Sequence, residues 1–102
     1  MSDEQFISEP ITPQPGTFDR QGMARGEPGL PARFTWRDTE YEILDVLETW
    51  ITSTKEKGGD ELYVRRHWWQ VRTTDGTVMK LYCERQKQRR NSKLRWFVYS
   101  VG

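Results

Sequence analysis

Trp68 and Tyr82, with Arg66, Gln70, Arg72 and Lys80 close by in two neighbouring segments, are the residues of this chain best suited to a chemical task, and that task is non-covalent. Flat rings stack on bases and cations neutralise phosphates; in single-strand binders each stacked base contributes roughly 1–3 kcal/mol. Arg85, Lys87, Arg89, Arg90, Lys93 and Arg95 follow with no acid inside the run. On a connection between strands such cations can track a phosphate chain, although a charge run is often only a solvated turn. From Leu62 onward ten bases face two acids, a net +8, whereas the preceding part holds six bases and thirteen acids, a net −7. The overall charge of +1 therefore hides a dipolar molecule. The basic part also carries Trp69, Trp96, Phe97 and Tyr99, and cations interleaved with rings are the ingredients of a nucleic-acid surface.

Other chemistries have weaker support. Glu40, Glu42, Asp45 and Glu48 cluster, and paired carboxylates can exchange protons, but alternate acids on a strand more often solubilise it or pair with bases such as Arg33 and Arg37. A nuclease would need metal-binding carboxylates beside the basic surface, and the charges are segregated instead. With one Cys (Cys83) and one His (His67), a zinc site lacks ligands. Gly58-Gly59 is followed by acids, which does not fit a phosphate loop. The expectation is no enzyme, no metal and no cofactor.

The elements that must position these residues read as strands. Arg33-Phe34-Thr35-Trp36-Arg37 and Glu40-Tyr41-Glu42-Ile43 alternate with period two around Asp38-Thr39, which predicts a hairpin with Trp36 opposite Tyr41, Phe34 opposite Ile43, Arg37 opposite Glu40 and Thr35 opposite Glu42. The alternation breaks at Leu44, Val46 and Leu47. A continued, bulged strand suits a small barrel, a short helix being the other option, and Ile51 to Asp60 reads as a mobile loop.

Leu62–Thr73 and Thr77–Arg85 flank Thr74-Asp75-Gly76. A three-residue loop with Gly76 left-handed pairs Val71 with Met79, Trp69 with Leu81 and His67 with Cys83 on an inner face. The other face then receives Arg66/Glu84, Trp68/Tyr82, Gln70/Lys80 and Arg72. There Trp68 and Tyr82 form either an open stacking platform or an ordinary cross-strand pair covered by the N-terminal arm or the Trp50 loop. Leu94–Val101 closes the sheet after the basic connection Gln86 to Lys93. The fold expected is all-β: a five-stranded antiparallel meander curled into a small SH3-like or OB-like barrel, an open twisted sheet being the fallback.

Residues 30–102 form this domain, and residues 1–29, rich in Pro, Gly and acids, form a disordered tail, with a polyproline ligand as the lesser alternative. There are no internal repeats. The single cysteine excludes an internal disulfide and fits a reducing compartment, and no apolar run is long enough to span a bilayer. Met1 to Pro15 has neither a basic nor an apolar leader region, so a soluble cytoplasmic protein is expected.

The segments Gly29-Leu30-Pro31-Ala32-Arg33-Phe34-Thr35-Trp36-Arg37, Val46-Leu47-Glu48-Thr49-Trp50, Tyr63-Val64-Arg65-Arg66-His67-Trp68-Trp69-Gln70-Val71-Arg72, Leu81-Tyr82 and Arg95-Trp96-Phe97-Val98-Tyr99 resemble an uncharacterised family of small bacterial domains, over Gly29 to Val101. The Arg-Arg-His-Trp segment is the specific part. Members of that family occur alone and near the C-terminus of proteins related to Y-family translesion polymerases. The resemblance implies a bacterial cytoplasmic accessory module linked to DNA damage tolerance, and it carries over no catalytic motif. Residues and resemblance together lead to a non-enzymatic module that binds single-stranded DNA or RNA. The alternative is a protein-interaction or assembly module whose basic face docks an acidic partner.

Overall fold

The computed structural model of the chain describes residues 4–18, 29–55, 63–85 and 94–102. All regular structure in them is strand: β1 (Gln5–Pro10), β2 (Thr12–Pro13), β3 (Arg33–Trp36), β4 (Thr39–Lys55), β5 (Tyr63–Thr73), β6 (Val78–Arg85) and β7 (Leu94–Val101). They form one antiparallel sheet in the order β1-β7-β6-β5-β4-β3-β2, curled into a half-barrel. The expected five-strand meander is present as β3 to β7, but the sheet has seven strands.

The two additional strands come from the segment expected to be disordered. β1 pairs with β7, β2 pairs with β3, and the N–H of Ile11 between them donates to the Trp96 carbonyl at 3.0 Å. Past β2, Gln14 N–H donates to Arg33 O, Ala32 N–H donates to Thr17 O, and Phe18 bridges to Pro31. Ile11 is buried, and Ile7 and Phe18 pack against the core. The Pro-rich composition concealed four apolar side chains, Phe6, Ile7, Ile11 and Phe18, spaced so that three reach the interior.

Inside the curl lie Phe34, Trp36, Trp69, Val71, Met79, Leu81, Cys83, Trp96 and Val98, with Ile11 at the seam. Trp69 stacks on Trp96 at 5.1 Å between centroids, and His67 lies almost parallel over Trp69 at 4.3 Å. In a domain of this size, area buried per residue decides whether a core suffices, and indole rings supply much of it.

The β5–β6 register has the expected pairs Val71/Met79, Trp69/Leu81, His67/Cys83, Arg66/Glu84, Trp68/Tyr82 and Gln70/Lys80. Gly76 holds a φ of 87°, the left-handed conformation that the three-residue loop requires. Asp75 fixes that loop by accepting from the Thr73 hydroxyl and from Thr77 N–H, and these bonds hold its carboxyl below the usual range.

The β3–β4 hairpin differs from expectation. Its turn is Arg37-Asp38, and the pairs are Arg33/Glu42, Phe34/Tyr41, Thr35/Glu40 and Trp36/Thr39. The apolar and charged faces are those predicted, but the register has slid by two residues. Arg37 and Asp38 have φ of 50° and 59°, as a primed hairpin turn demands. Asp tolerates that region, and Arg37 is held there by Glu9 from outside the hairpin and by the neighbouring Trp36 ring. Its guanidinium lies 4.6 Å from the Trp36 ring centroid and forms two hydrogen bonds with Glu9, 2.9 Å and 2.8 Å long. Trp36 Nε1–H donates to the same carboxylate at 2.9 Å.

β4 is a strand throughout and contains no helix. Its register with β5 shifts between Ile43 and Asp45 and between Val46 and Glu48, so Leu44 and Leu47 are bulged residues. Two bulges close together bend the strand away from β3. The segment from Ile51 through Lys55, expected in a loop, continues β4; residues 56–60 of that expected loop lie outside the described residues.

Glu9 thus joins the two ends of the strand order. Its hydrogen bonds from Arg37, and secondarily from Trp36, lower its pKa from 4.5 to about 2. A carboxylate held down in this way stabilises the folded chain above pH about 4.5, and that contribution is lost as the pH falls towards 2. Glu9→Gln is expected to lower the melting temperature at neutral pH. Thermal melts should show the difference between wild type and variant shrinking between pH 4.5 and 2. A constant difference across that window would remove Glu9 from the acid response.

Candidate nucleic-acid interface

The outer face of the sheet carries side chains in rows that cross several strands. One row runs Trp50, Trp68, Tyr82, Phe97 and Pro10, each directly opposite the next. On one side lies the row Thr52, Arg66, Glu84, Arg95, and on the other Glu48, Gln70, Lys80, Ser100, Phe6. Alternation on four strands produces this arrangement: residues that flank core positions on the same strand face outward.

The rings form a continuous cluster. Trp50 lies parallel to Trp68 at 5.8 Å, Tyr82 is 4.7 Å from Trp68, and Phe97 stacks on Tyr82 at 4.9 Å. Tyr99 meets Trp68 edge-on at 5.0 Å, and Phe6 meets Tyr99 edge-on at 5.4 Å. Trp68 Nε1–H donates to the Thr52 hydroxyl at 2.8 Å. This satisfies the one polar atom of a ring that is only 9% exposed.

Of the two alternatives for Trp68 and Tyr82, an open platform or a covered cross-strand pair, the structure has the covered pair. Tyr82 is 7% exposed, and neither the N-terminal arm alone nor a Trp50 loop covers the pair. The cover consists of neighbouring rings in the same sheet and of Arg66, whose guanidinium lies 5.0 Å from the Tyr82 centroid. The rings reaching solvent are Trp50, Phe97 and Tyr99, half-buried, and Phe6, 67% exposed. Sequence reasoning left these four out of the site. The signals were present: Trp50 and Thr52 continue the alternation of β4, and Phe97 and Tyr99 alternate with the inward Trp96 and Val98.

Register brings Arg66, Trp68, Gln70, Arg72, Lys80 and Tyr82 to one face, as expected, and adds Arg95 of β7 opposite Glu84. Several cations there already have acid partners. Arg66 Nε lies 2.7 Å from Glu84, Lys80 Nζ lies 2.8 Å from Glu4, and Arg72 lies 3.7 Å from Asp45. Glu4 also accepts from the Ser100 hydroxyl at 2.6 Å; Lys80 first, then Ser100, holds its carboxyl below the ordinary value. Arg95 is exposed and forms no ion pair among the described residues. Arg85 ends β6 opposite Arg65 and Leu94, while Lys87, Arg89, Arg90 and Lys93 lie outside the described residues.

Among the described residues no group of three or more His, Cys, Asp or Glu is placed to hold a metal ion, and no helix is long and apolar enough to cross a membrane. The carboxylates Glu40, Glu42, Asp45 and Glu48 are spread along exposed β4; Glu42 pairs with Arg33 at 3.0 Å, and Asp45 pairs with Arg72.

The burial pattern separates buried supporting rings from exposed ones. Trp68→Ala is expected to destabilise the fold by about 3–5 kcal/mol, the usual cost of deleting a large buried ring. Phe6→Ala should cost less than about 1 kcal/mol. Urea denaturation followed by circular dichroism checks both, and similar midpoints for the two variants would contradict the assigned roles.

No curated protein and no solved structure matches the chain. A family profile described as a domain of unknown function, DUF6504, matches residues 1–102, so the segment holding β1 and β2 lies within the match along with the meander. The all-β chain that carries this aromatic row belongs to the DUF6504 family.

Proposed function

We propose that this chain is a non-enzymatic module that binds single-stranded DNA or RNA through the outer face of its sheet. The observation that carries the reading is the row of four rings, Trp50, Trp68, Tyr82 and Phe97, aligned across four strands on a face that no other layer covers among the described residues. A buried apolar layer belongs inside a curl; a second aromatic layer outside it is surplus to the core and suits flat ligands. Trp68 and Tyr82 support the site, Trp50, Phe97 and Tyr99 offer ring faces or edges to bases, and Arg95 with the Arg85–Lys93 run supplies phosphate contacts. Arg66, Arg72 and Lys80 act only where phosphate displaces Glu84, Asp45 or Glu4 from them. Gln70, between Glu48 and Lys80 in its row, adds a neutral donor and acceptor.

An SH3-like or OB-like closure of the half-barrel and a cytoplasmic role in DNA damage tolerance, near polymerase-like proteins, belong to the same proposal. They rest on strand pattern, charge and the family resemblance.

Titration with labelled single-stranded DNA, duplex DNA and RNA at two salt concentrations, following anisotropy and tryptophan fluorescence together, tests the reading. Binding should quench tryptophan emission, weaken steeply with salt and favour a single-stranded ligand. Arg95→Gln should lower the salt slope by about 0.7, the value for one phosphate contact on a single strand. Trp50→Leu should weaken binding by about tenfold without altering the far-ultraviolet spectrum. Silence for all three ligands at low salt would transfer the charge asymmetry to docking of an acidic protein surface.

A further inference from the structure

The aromatic row has two flanks of opposite charge. On one side lie Thr52, Arg66, Glu84 and Arg95, where two bases meet one acid. On the other lie Glu48, Gln70, Lys80 and Ser100 with Glu4 bound to Lys80, so that two acids meet one base. A strand of nucleic acid laid along the row keeps its phosphates on the Arg66–Arg95 flank and turns the edges of its stacked bases towards Glu48 and Gln70.

Most polar side chains of this face are already engaged. Arg66 pairs with Glu84, Arg72 with Asp45 and Lys80 with Glu4; the Ser100 hydroxyl donates to Glu4, and the Thr52 hydroxyl accepts from the Trp68 indole. The side chains of Glu48 and Gln70 have no hydrogen-bond or ion-pair partner among the described residues. They stand directly opposite each other on β4 and β5, Glu48 exposed and Gln70 half-buried. An unpaired carboxylate beside a surface that attracts phosphates weakens binding unless it meets a donor on the ligand.

Trp50 brings such a donor within reach. It shares the outer face with Glu48 and stands two residues further along β4, about 7 Å away at the rise of a strand. Trp68 stacks on one side of the Trp50 ring. β3 pairs with β4 only as far as Glu42, and no other strand among the described residues lies on that side, so the second face of the ring has no neighbour in the sheet. A base stacked there spans the distance to Glu48 with its own ring and one hydrogen bond.

We propose that Glu48 and Gln70 form a base-reading pair that selects guanine in the single strand stacked on the row. Guanine presents two neighbouring donors, N1–H and the 2-amino group, beside the acceptor O6. The two oxygens of Glu48 accept from the donors, and the Gln70 amide donates to O6. Adenine and cytosine offer the carboxylate one amino group next to a ring-nitrogen acceptor, whereas thymine and uracil hold a single N–H between two carbonyl oxygens. The pair presupposes the stacking proposed above and adds a base preference that stacking alone lacks.

The full chain is titrated, by anisotropy, with thymine oligonucleotides of about twelve nucleotides, within the usual span of a single-strand site. The same oligonucleotides are then used with isolated guanines, and with inosine at those positions, which lacks only the 2-amino group. Wild type should bind the guanine oligonucleotide about tenfold or more tighter than the thymine one, as one bidentate base contact allows, with inosine between them. Glu48→Gln should erase the difference and Gln70→Leu should reduce it. Glu40→Gln removes the same charge from the exposed β3–β4 hairpin and should keep it. Equal affinity of wild type for the guanine and thymine oligonucleotides would overturn the base-reading pair and leave the stacking module standing. A preference that survives Glu48→Gln, or that Glu40→Gln erases equally, would overturn the pair as well. Failure to bind any of the three oligonucleotides at low salt would overturn the module and the pair together.

Discussion

The rest of the structure depends on one covalent constraint: β1 and β2 are neighbours in the chain but stand at opposite ends of the strand order. One continuous segment, Gln5 to Pro13, therefore has to pair with β7 along its first part and with β3 along its second. A flat sheet of seven strands would hold those partners several strand spacings apart. The sheet must curl until both edges flank Ile11, and that curl gives Trp36, Trp69 and Trp96 a common interior. Glu9 marks the seam chemically. It sits on β1 opposite Val98 and collects the Trp36 indole and the Arg37 guanidinium from the far edge. Three hydrogen bonds, two from Arg37 and one from Trp36, hold this partly exposed carboxylate at the seam.

Curling has a second consequence. The five tryptophans divide between the two faces, Trp36, Trp69 and Trp96 inward and Trp50 and Trp68 outward. The inner layer satisfies the need for a core. On the outer face, rings bury one another edge to face and face to face, and acids drawn from three other strands or segments hold Arg66, Arg72 and Lys80 in place. Half-exposed ion pairs of this type contribute little to stability, so their main effect is to order long side chains beside the rings.

Legibility in the sequence followed the range of the interactions that decide each element. The β5–β6 register was readable because Gly76 and the separation of apolar from polar residues both lie within the hairpin. The bulged course of β4 was visible in the broken alternation at Leu44, Val46 and Leu47. The β3–β4 turn was misplaced by one residue because the contact that holds Arg37 left-handed comes from Glu9, twenty-eight positions away. For the same reason β1 and β2 were invisible: Pro10, Pro13 and Pro15 dominate the local signal, while the pairing partners lie far along the chain. The candidate site was legible in its residues and its face, but not in its exposure. Alternation says which side of a sheet Trp68 occupies, whereas the rings that cover it come from β4, β6 and β7.

The bond between the Ser100 hydroxyl and the Glu4 carboxylate spans ninety-six positions of sequence, and β1 as a whole pairs with β7, the described strand farthest from it along the chain. On the ribosome, β1 is made well before β7 and has nothing to pair with until β7 has cleared the exit tunnel. During that interval the meander can zip hairpin by hairpin and β2 can pair with β3, but the edge that β1 covers remains unsealed. Closure is then a late, non-local event of the kind that slows folding in proteins rich in distant pairings. A nascent chain of this design exposes its most recently made strand as an open edge until β1 seals β7, which makes the time between translation and sealing its most aggregation-prone period.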